Sequence, residues 1–127
     1  MEYSIKQVSE KTNLTPHTLR YYEKEGLLPF IKRTSSGIRR FSDDDLDWLG
    51  LISCLKNTGM SINHIKEFVE LSAKGDETLG ERCKILLKQR ANVENEIKLM
   101  RDHLDKVNRK IEYFTAQYEE YQNKLAN

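Results

Sequence analysis

The chain has too few cysteines to be stapled and no apolar run long enough to anchor it in a membrane. Its two cysteines, Cys54 and Cys83, form neither a disulfide-scaffold pattern nor a C-x-x-C pair, so both are expected as reduced thiols. No stretch approaches the roughly 18 consecutive apolar residues of a membrane span, and no secretory leader opens the sequence. A cytoplasmic location without a membrane partner is therefore expected. The histidines His17, His64 and His103 lie far apart without ligand spacing, so no metal site is expected. A Gly-rich phosphate loop, a convergent acid–base pair and a nucleophile beside a base are all missing, which argues against an enzyme and leaves no cofactor to hold. The only prolines are Pro16 and Pro29, and no glycine follows Gly80, so the last part of the chain contains no helix breaker.

With 127 residues and 14.9 kDa, the chain has room for one small domain and an appendage. Its net charge of +1 hides an asymmetry. Residues 1–41 hold eight Lys/Arg against four Asp/Glu, whereas residues 42–127 hold thirteen against sixteen. A basic end on a nearly neutral chain is compatible with binding nucleic acid through that end.

Helix punctuation is plentiful. Ser4 with Gln7 forms a capping box ahead of a helix that carries Ile5 and Val8 inward and ends near Thr12 and Asn13. Thr15 is a natural N-cap, Pro16 suits the first helical position, and Gly26 supplies the left-handed residue that stops a helix. The spacing predicts a helix-turn-helix. Its second helix places Thr15, Thr18, Arg20 and Tyr21 outward, a set of donors suited to a DNA major groove.

Between Leu28 and Phe41 stand Lys32, Arg33, Arg39 and Arg40 and no acid. The runs Phe30–Arg33 and Ile38–Phe41 flank the turn residues Thr34, Ser35, Ser36 and Gly37, which reads as a hairpin wing lying against phosphates. An isolated hairpin is marginal in water, so Phe30, Ile38 and Phe41 are expected to pack it onto the helices. Ser42 and three aspartates then open a third helix, through Trp48, Leu49, Ile52 and Leu55, to a stop at Gly59. Ser61 caps a fourth, from Ile62 to about Ser72, with Ile65, Phe68 and Val69 inward. Residues 1–75 are thus expected to form a winged helix-turn-helix DNA-binding domain, followed by a hinge at Gly75, Asp76 and Glu77.

Residues 76–127 change character. Thr78 with Glu81 reads as another capping box. Steps of four and three from Leu79 meet Cys83, Leu86, Arg90, Val93, Ile97, Met100, Leu104, Val107, Ile111, Phe114, Tyr118, Tyr121 and Leu125, of which Arg90 alone is charged. A seam this sustained predicts a coiled-coil helix. Such a helix cannot bury its own stripe. Its simplest partner is a second copy, a homodimer joined through Leu86, Val93, Ile97, Met100, Leu104, Val107 and Ile111. Two reader helices on a two-fold dimer imply a palindromic operator in double-stranded DNA. The seam does not fix whether the strands run parallel or antiparallel.

The run Leu19-Arg20-Tyr21-Tyr22-Glu23, then Gly26-Leu27, then Gly37-x-Arg39-x-Phe41, resembles the N-terminal signature of MerR-type transcription regulators. The resemblance implies a mainly α fold: a winged helix-turn-helix DNA-binding domain, then a long dimerisation helix paired as an antiparallel coiled coil. It implies that Arg20 and Tyr21 face the groove, that Tyr22 touches the DNA backbone, that Arg39 is the wing arginine, and that Lys56 reaches a phosphate from a second wing. It also implies a mechanism in which promoter DNA is bent and untwisted until RNA polymerase can engage two elements held too far apart.

Many such regulators carry a drug-binding domain or a two-cysteine metal loop after the coiled coil, and neither pattern follows here. Cys83 sits where metal-sensing members place a thiolate. Without the loop cysteines it cannot assemble a two-coordinate soft-metal site, and it reads as a small apolar filler of the seam. Ser36-Gly37-Ile38-Arg39, the Ser53-Cys54 position, Gly75-Asp76 and the missing sensor together resemble the AdhR/NmlR subgroup of aldehyde- and electrophile-responsive activators. In that subgroup a cysteine at this helix position is the reactive one, which points to Cys54 as the effector-sensing residue. At about 100° per residue, Cys54 falls off the apolar arc of Trp48, Ile52 and Leu55. Lys56, the nearest cation in sequence, projects about 160° away, so the sequence names no group that would activate the thiol. Two alternatives stay open: a MerR-type regulator with no thiol switch, constitutive or answering another ligand, and a coiled-coil adaptor protein.

Overall fold

Ser4 and Ser42 start two helices by the same device. The Ser4 hydroxyl accepts the Gln7 amide at 3.2 Å while the Gln7 side chain accepts the Ser4 amide at 2.9 Å. Ser42 and Asp45 repeat the exchange at 3.1 and 2.8 Å. Two otherwise unpaired backbone donors are satisfied at each site. The computed structural model describes residues 1–127 and contains five α-helices and a small sheet. The chain is mainly α, as its periodicity and punctuation predict.

Helix α1 (Ile5–Thr12) ends where Asn13 turns left-handed at φ 60°. Helix α2 (Pro16–Lys24) begins on the Thr15 cap with Pro16 in its first turn, and Gly26 follows its end at φ 80°. Helix α3 spans Asp43–Asn57 and α4 spans Ile62–Ala73, the latter capped by the Ser61 hydroxyl. A single 3-10 turn at Asp76–Thr78 leads into α5, which runs unbroken from Leu79 to Ala126.

The wing is more than a hairpin. Strand β2 (Lys32–Arg33) pairs antiparallel with β3 (Arg39–Ser42), and the other edge of β3 pairs with β1 (Glu2–Tyr3). The sheet order is β1-β3-β2, with Tyr3 opposite Phe41 and Glu2 opposite Ser42. Strand β1 has only two residues, too few for an alternation to show, so nothing in the sequence marks it.

Each element lends a few side chains to one core: Val8 from α1, Leu19 and Tyr22 from α2, Phe41 from β3, Leu49, Ile52 and Leu55 from α3, and Ile65, Phe68 and Val69 from α4. Leu27 and Leu28 close it from the segment after α2. Phe41 is the strand residue that ties the sheet to this core, and burying a side chain of its size contributes roughly 1.5–3 kcal/mol. Phe30 helps at the edge, its ring lying T-shaped against Trp48 at 6.3 Å. Trp48 in turn stacks on Phe68 at 6.1 Å and donates its indole N–H to the Leu27 carbonyl at 2.8 Å. Ile38 does not pack the wing as expected. It stays 58% exposed, because it belongs to the turn between the strands, where its carbonyl accepts the Thr34 amide.

The expected Thr78–Glu81 capping box is also absent. Thr78 is buried, and its hydroxyl donates backward to the carbonyls of Leu71 and Gly75. That pull toward the end of α4 leaves the hydroxyl unable to cap α5. Arg82 completes the corner, donating to the Thr78 hydroxyl at 3.1 Å and to the Gly75 carbonyl at 2.9 Å.

The chain divides into two compact units, Met1–Gln89 and Arg90–Asn127. The turn into α5 falls at residues 75–78, but the first unit reaches on to Gln89 because Ile85 packs against the core and Gln89 is buried. The second unit is a single helical segment, the rest of α5. Ile97, Met100, Leu104, Val107 and Ile111 are between 46% and 68% exposed.

Candidate nucleic-acid interface

The exposed side of α2 is built from its N-cap outward. The Thr15 hydroxyl accepts the Thr18 amide at 3.1 Å and donates to the Thr18 hydroxyl at 2.9 Å, so the two threonines form one polar unit at the helix start. One turn on, Arg20 is exposed and makes no hydrogen bond or ion pair within the chain. Tyr21 beside it is 39% exposed. Leu19 and Tyr22 take the opposite side and are buried, as the helical period requires.

Tyr22 is thus mainly a core residue. Burial, and then the neighbouring Tyr21, push its phenol above the ordinary value, so the hydroxyl stays a proton donor at neutral pH. Lys56, from the last turn of α3, places its ammonium 5.3 Å from the Tyr22 ring centre and 5.7 Å from that of Tyr21. The cation is held over two aromatic faces beside α2. Lys66 of α4 reaches Glu25, at the end of α2, with 2.6 Å between ammonium and carboxylate.

The four basic wing residues separate into two pairs. Arg33 and Arg39 are cross-strand partners, as are Lys32 and Arg40. Successive strand residues face opposite sides of a sheet, so the two pairs lie on opposite faces. Lys32 and Arg40 are exposed without an ion partner and line a shallow recess with Glu2, Phe30, Asp44 and Trp48. Arg33 and Arg39 face α2, where the Glu23 carboxylate accepts from both: Arg33 at 2.8 Å and Arg39 Nε at 2.9 Å, on the same oxygen. Arg33 also donates to the Gly37 carbonyl at 2.8 Å, bracing the turn. Glu23 is the residue that sequence reasoning passed over. Its traces are its place at the end of the Leu19–Glu23 run and an acid on the reader helix ahead of a hairpin that has none.

Cys54 lies exposed in the last turn of α3, off the core as its helical angle predicts. Its carbonyl accepts both the amide and the hydroxyl of Thr58, at 3.0 and 2.7 Å. Lys56 is engaged with the tyrosine rings. Cys83 is exposed on α5, and no three His, Cys, Asp or Glu side chains gather closely enough to hold a metal ion.

This arrangement of reader helix, wing and long helix has known counterparts. Residues 3–71 match the MerR HTH family regulatory proteins, and residues 46–107 match the MerR DNA-binding family. The chain belongs to the MerR family. It is 43% identical over 114 residues to an uncharacterized HTH-type transcriptional regulator of Haemophilus influenzae, covering 90% of this chain and 84% of that protein. It is 42% identical over 87 residues to the HTH-type transcriptional regulator AdhR of Bacillus subtilis, covering 68% of this chain and 62% of AdhR. The crystal structure of HiNmlR, a MerR family regulator lacking the sensor domain and bound to promoter DNA, superposes with a TM-score of 0.85 at 43% identity, covering 91% of each chain. A MerR family regulator from Bacillus thuringiensis superposes with a TM-score of 0.81 at 43% identity, covering 87% of this chain and 97% of that one. HiNmlR and AdhR carry the names of the subgroup whose pattern the sequence follows. This MerR-family chain is a DNA-binding transcription regulator, not an enzyme, and none of its helices is long and apolar enough to cross a membrane.

Proposed function

We propose that the protein acts as a homodimer that binds a palindromic operator inside a promoter and distorts it for RNA polymerase, with Cys54 as an electrophile-responsive switch. The observation that carries the reading is the exposed, unpaired Arg20 on a helix flanked by the arginine pair of the wing. Arg20 and Tyr21 enter the major groove, with Thr15 and Thr18 at the leading end of the helix. Arg33, Arg39 and Lys56 meet the phosphate backbone beside α2, Lys32 and Arg40 add positive charge on the other face of the wing, and buried Tyr22 holds Lys56 over its ring. HiNmlR, in complex with promoter DNA, supports this use of the same fold.

Residues 1–75 form the reading head, and residues 76–127 the dimerisation helix. Leu86, Val93, Ile97, Met100, Leu104, Val107 and Ile111 pair with their counterparts in an antiparallel coiled coil. The exposed stripe on α5 supports that pairing. Bending a promoter-length site costs on the order of 1–6 kcal/mol, which phosphate contacts from both heads offset. A change of about that size at the head is enough to separate a bound silent state from a bound active one.

Cys54 supplies the change. Its thiolate adds to the carbonyl carbon of an aldehyde, a carbon–sulfur bond forms, and the former carbonyl oxygen takes up a proton. Promoter activation by purified wild type and Cys54→Ser, with and without a small reactive aldehyde, tests the switch. Wild type should respond, while Cys54→Ser binds DNA normally and stays silent. Equal responses from both would remove Cys54 from the mechanism.

A further inference from the structure

We infer that Glu23, an acid on the DNA-reading helix, strengthens DNA binding by orienting the wing arginines; this rests on the DNA-binding reading above. A carboxylate at a nucleic-acid interface ordinarily weakens binding, because it repels phosphate. Three features of Glu23 point the other way.

Glu23 accepts both guanidinium groups on one oxygen, Oε1. Arg33 and Arg39 are directly opposite each other across β2 and β3, an arrangement in which like charges repel. Strand β2 has only two residues, so its own ladder holds the pair weakly. The carboxylate of α2 removes that repulsion and fastens the wing to the helix beside it. Two arginines and one glutamate leave the cluster with a net positive charge, still attractive to phosphate.

The choice of atoms matters more than the charge. Glu23 binds Arg39 through Nε, and both terminal nitrogens of Arg39 are without a partner in the chain. A guanidinium held by Nε presents those two nitrogens as a fork, the geometry that meets a phosphate bidentately. The Arg39 and Glu23 side chains are 23% and 21% exposed, so the pair is partly withdrawn from solvent together, which strengthens the contact between them. Glu23 is therefore a positioning residue: it acts on DNA through Arg39.

The experiment uses the full chain and a fluorescent duplex of about 30 base pairs, selected from a random pool by the wild-type protein. Affinity is measured against salt for wild type, Glu23→Gln, Arg39→Ala and the double variant. Each phosphate contact contributes about 0.9 to the slope of log K against log salt. Glu23→Gln is expected to bind about tenfold more weakly at 100 mM NaCl, with the slope flatter by nearly two for a dimer. Arg39→Ala is expected to cost about tenfold in the wild type but under about threefold in the Glu23→Gln background, since the contact is already lost there. The Arg39 Nε–H resonance reads the contact in the free protein and should lose its bonded position in Glu23→Gln. If Glu23→Gln does not fold, Glu23→Asp, which keeps the charge and withdraws it by one methylene, should show the same loss. Equal or tighter binding by the variant with an unchanged slope would mean that Glu23 only repels DNA, and would overturn the inference. If no duplex is enriched by the wild type at low salt, the DNA-binding reading itself fails, an outcome distinguishable from failure of the Glu23 role alone.

Discussion

Gln89, on the long helix, donates its amide N–H groups to the hydroxyl of Thr58 at 2.7 Å and to its carbonyl at 3.1 Å. Thr58 is the C-cap of α3, and its own hydroxyl donates to the Cys54 carbonyl at 2.7 Å. The end of α3, where the proposed switch lies, is thereby hydrogen-bonded to the first turns of α5. Gln89→Leu should destabilise the protein by about 1 kcal/mol, the net worth of a buried hydrogen bond whose acceptor is left behind. Urea unfolding at fixed protein concentration checks this, with the midpoint falling and the slope unchanged.

Arg20 is exposed and makes no hydrogen bond or ion pair within the chain, so Arg20→Ala should leave stability within about 0.5 kcal/mol of wild type. The same substitution should weaken binding to a specific duplex by about 1–3 kcal/mol and relax the preference at one base pair in each half-site. Competition between matched and single-mismatch duplexes reads both effects. A large stability loss would mean that Arg20 belongs to the fold rather than to the interface.

Leu104 lies 56% exposed in the middle of the α5 stripe. Leu104→Lys puts two ammonium groups into the proposed dimer seam without a counter-charge. The expected result in sedimentation equilibrium is a shift from dimer toward monomer at micromolar concentration, with little change in helix content of residues 1–89. An unchanged dimer would place the interface elsewhere on α5.

The Lys66–Glu25 pair should leave a mark on the pH dependence of stability. The hydrogen bond from Lys66 holds the Glu25 carboxyl below its ordinary 4.5, and the same bond holds Lys66 above its ordinary 10.5. A lowered carboxyl stabilises the fold above 4.5, and that contribution fades as pH falls through the folded-state value. A raised ammonium stabilises it below 10.5, and that contribution fades as pH rises through the folded-state value. Wild type should therefore exceed Glu25→Gln by a constant amount from about pH 6 to pH 9, with the gap closing on either side. Paired unfolding curves across that range provide the check.

Most of what decides where helices start and stop here was legible in the sequence. The Ser4–Gln7 box, the Thr15 cap with Pro16, the Ser42 and Ser61 caps and the stop at Gly26 all appear in the structure. Each is a contact within three or four residues, so the residues that make it stand together in the chain. The long final helix was legible for the same reason, since periodicity is a local property, and the exposure of Cys54 off the core side of α3 followed from the helical period.

Other features needed the fold. The pairing of β1 with β3 joins residues about forty positions apart and involves a two-residue strand that carries no pattern. Wing residues that read as one basic cluster became two pairs on opposite faces, one of them claimed by Glu23 from another element. Thr78 had the composition of a cap, but α4 offered its hydroxyl better acceptors. On α5 the side that meets the head is Arg82, Ile85 and Gln89, offset from the apolar seam and two-thirds polar. The sequence by itself determined the local hydrogen bonds and the faces of each helix, because those depend on neighbours along the chain. Which acid met which arginine, and which polar side chain was buried, only the tertiary structure decided, because those pairings depend on where distant segments meet.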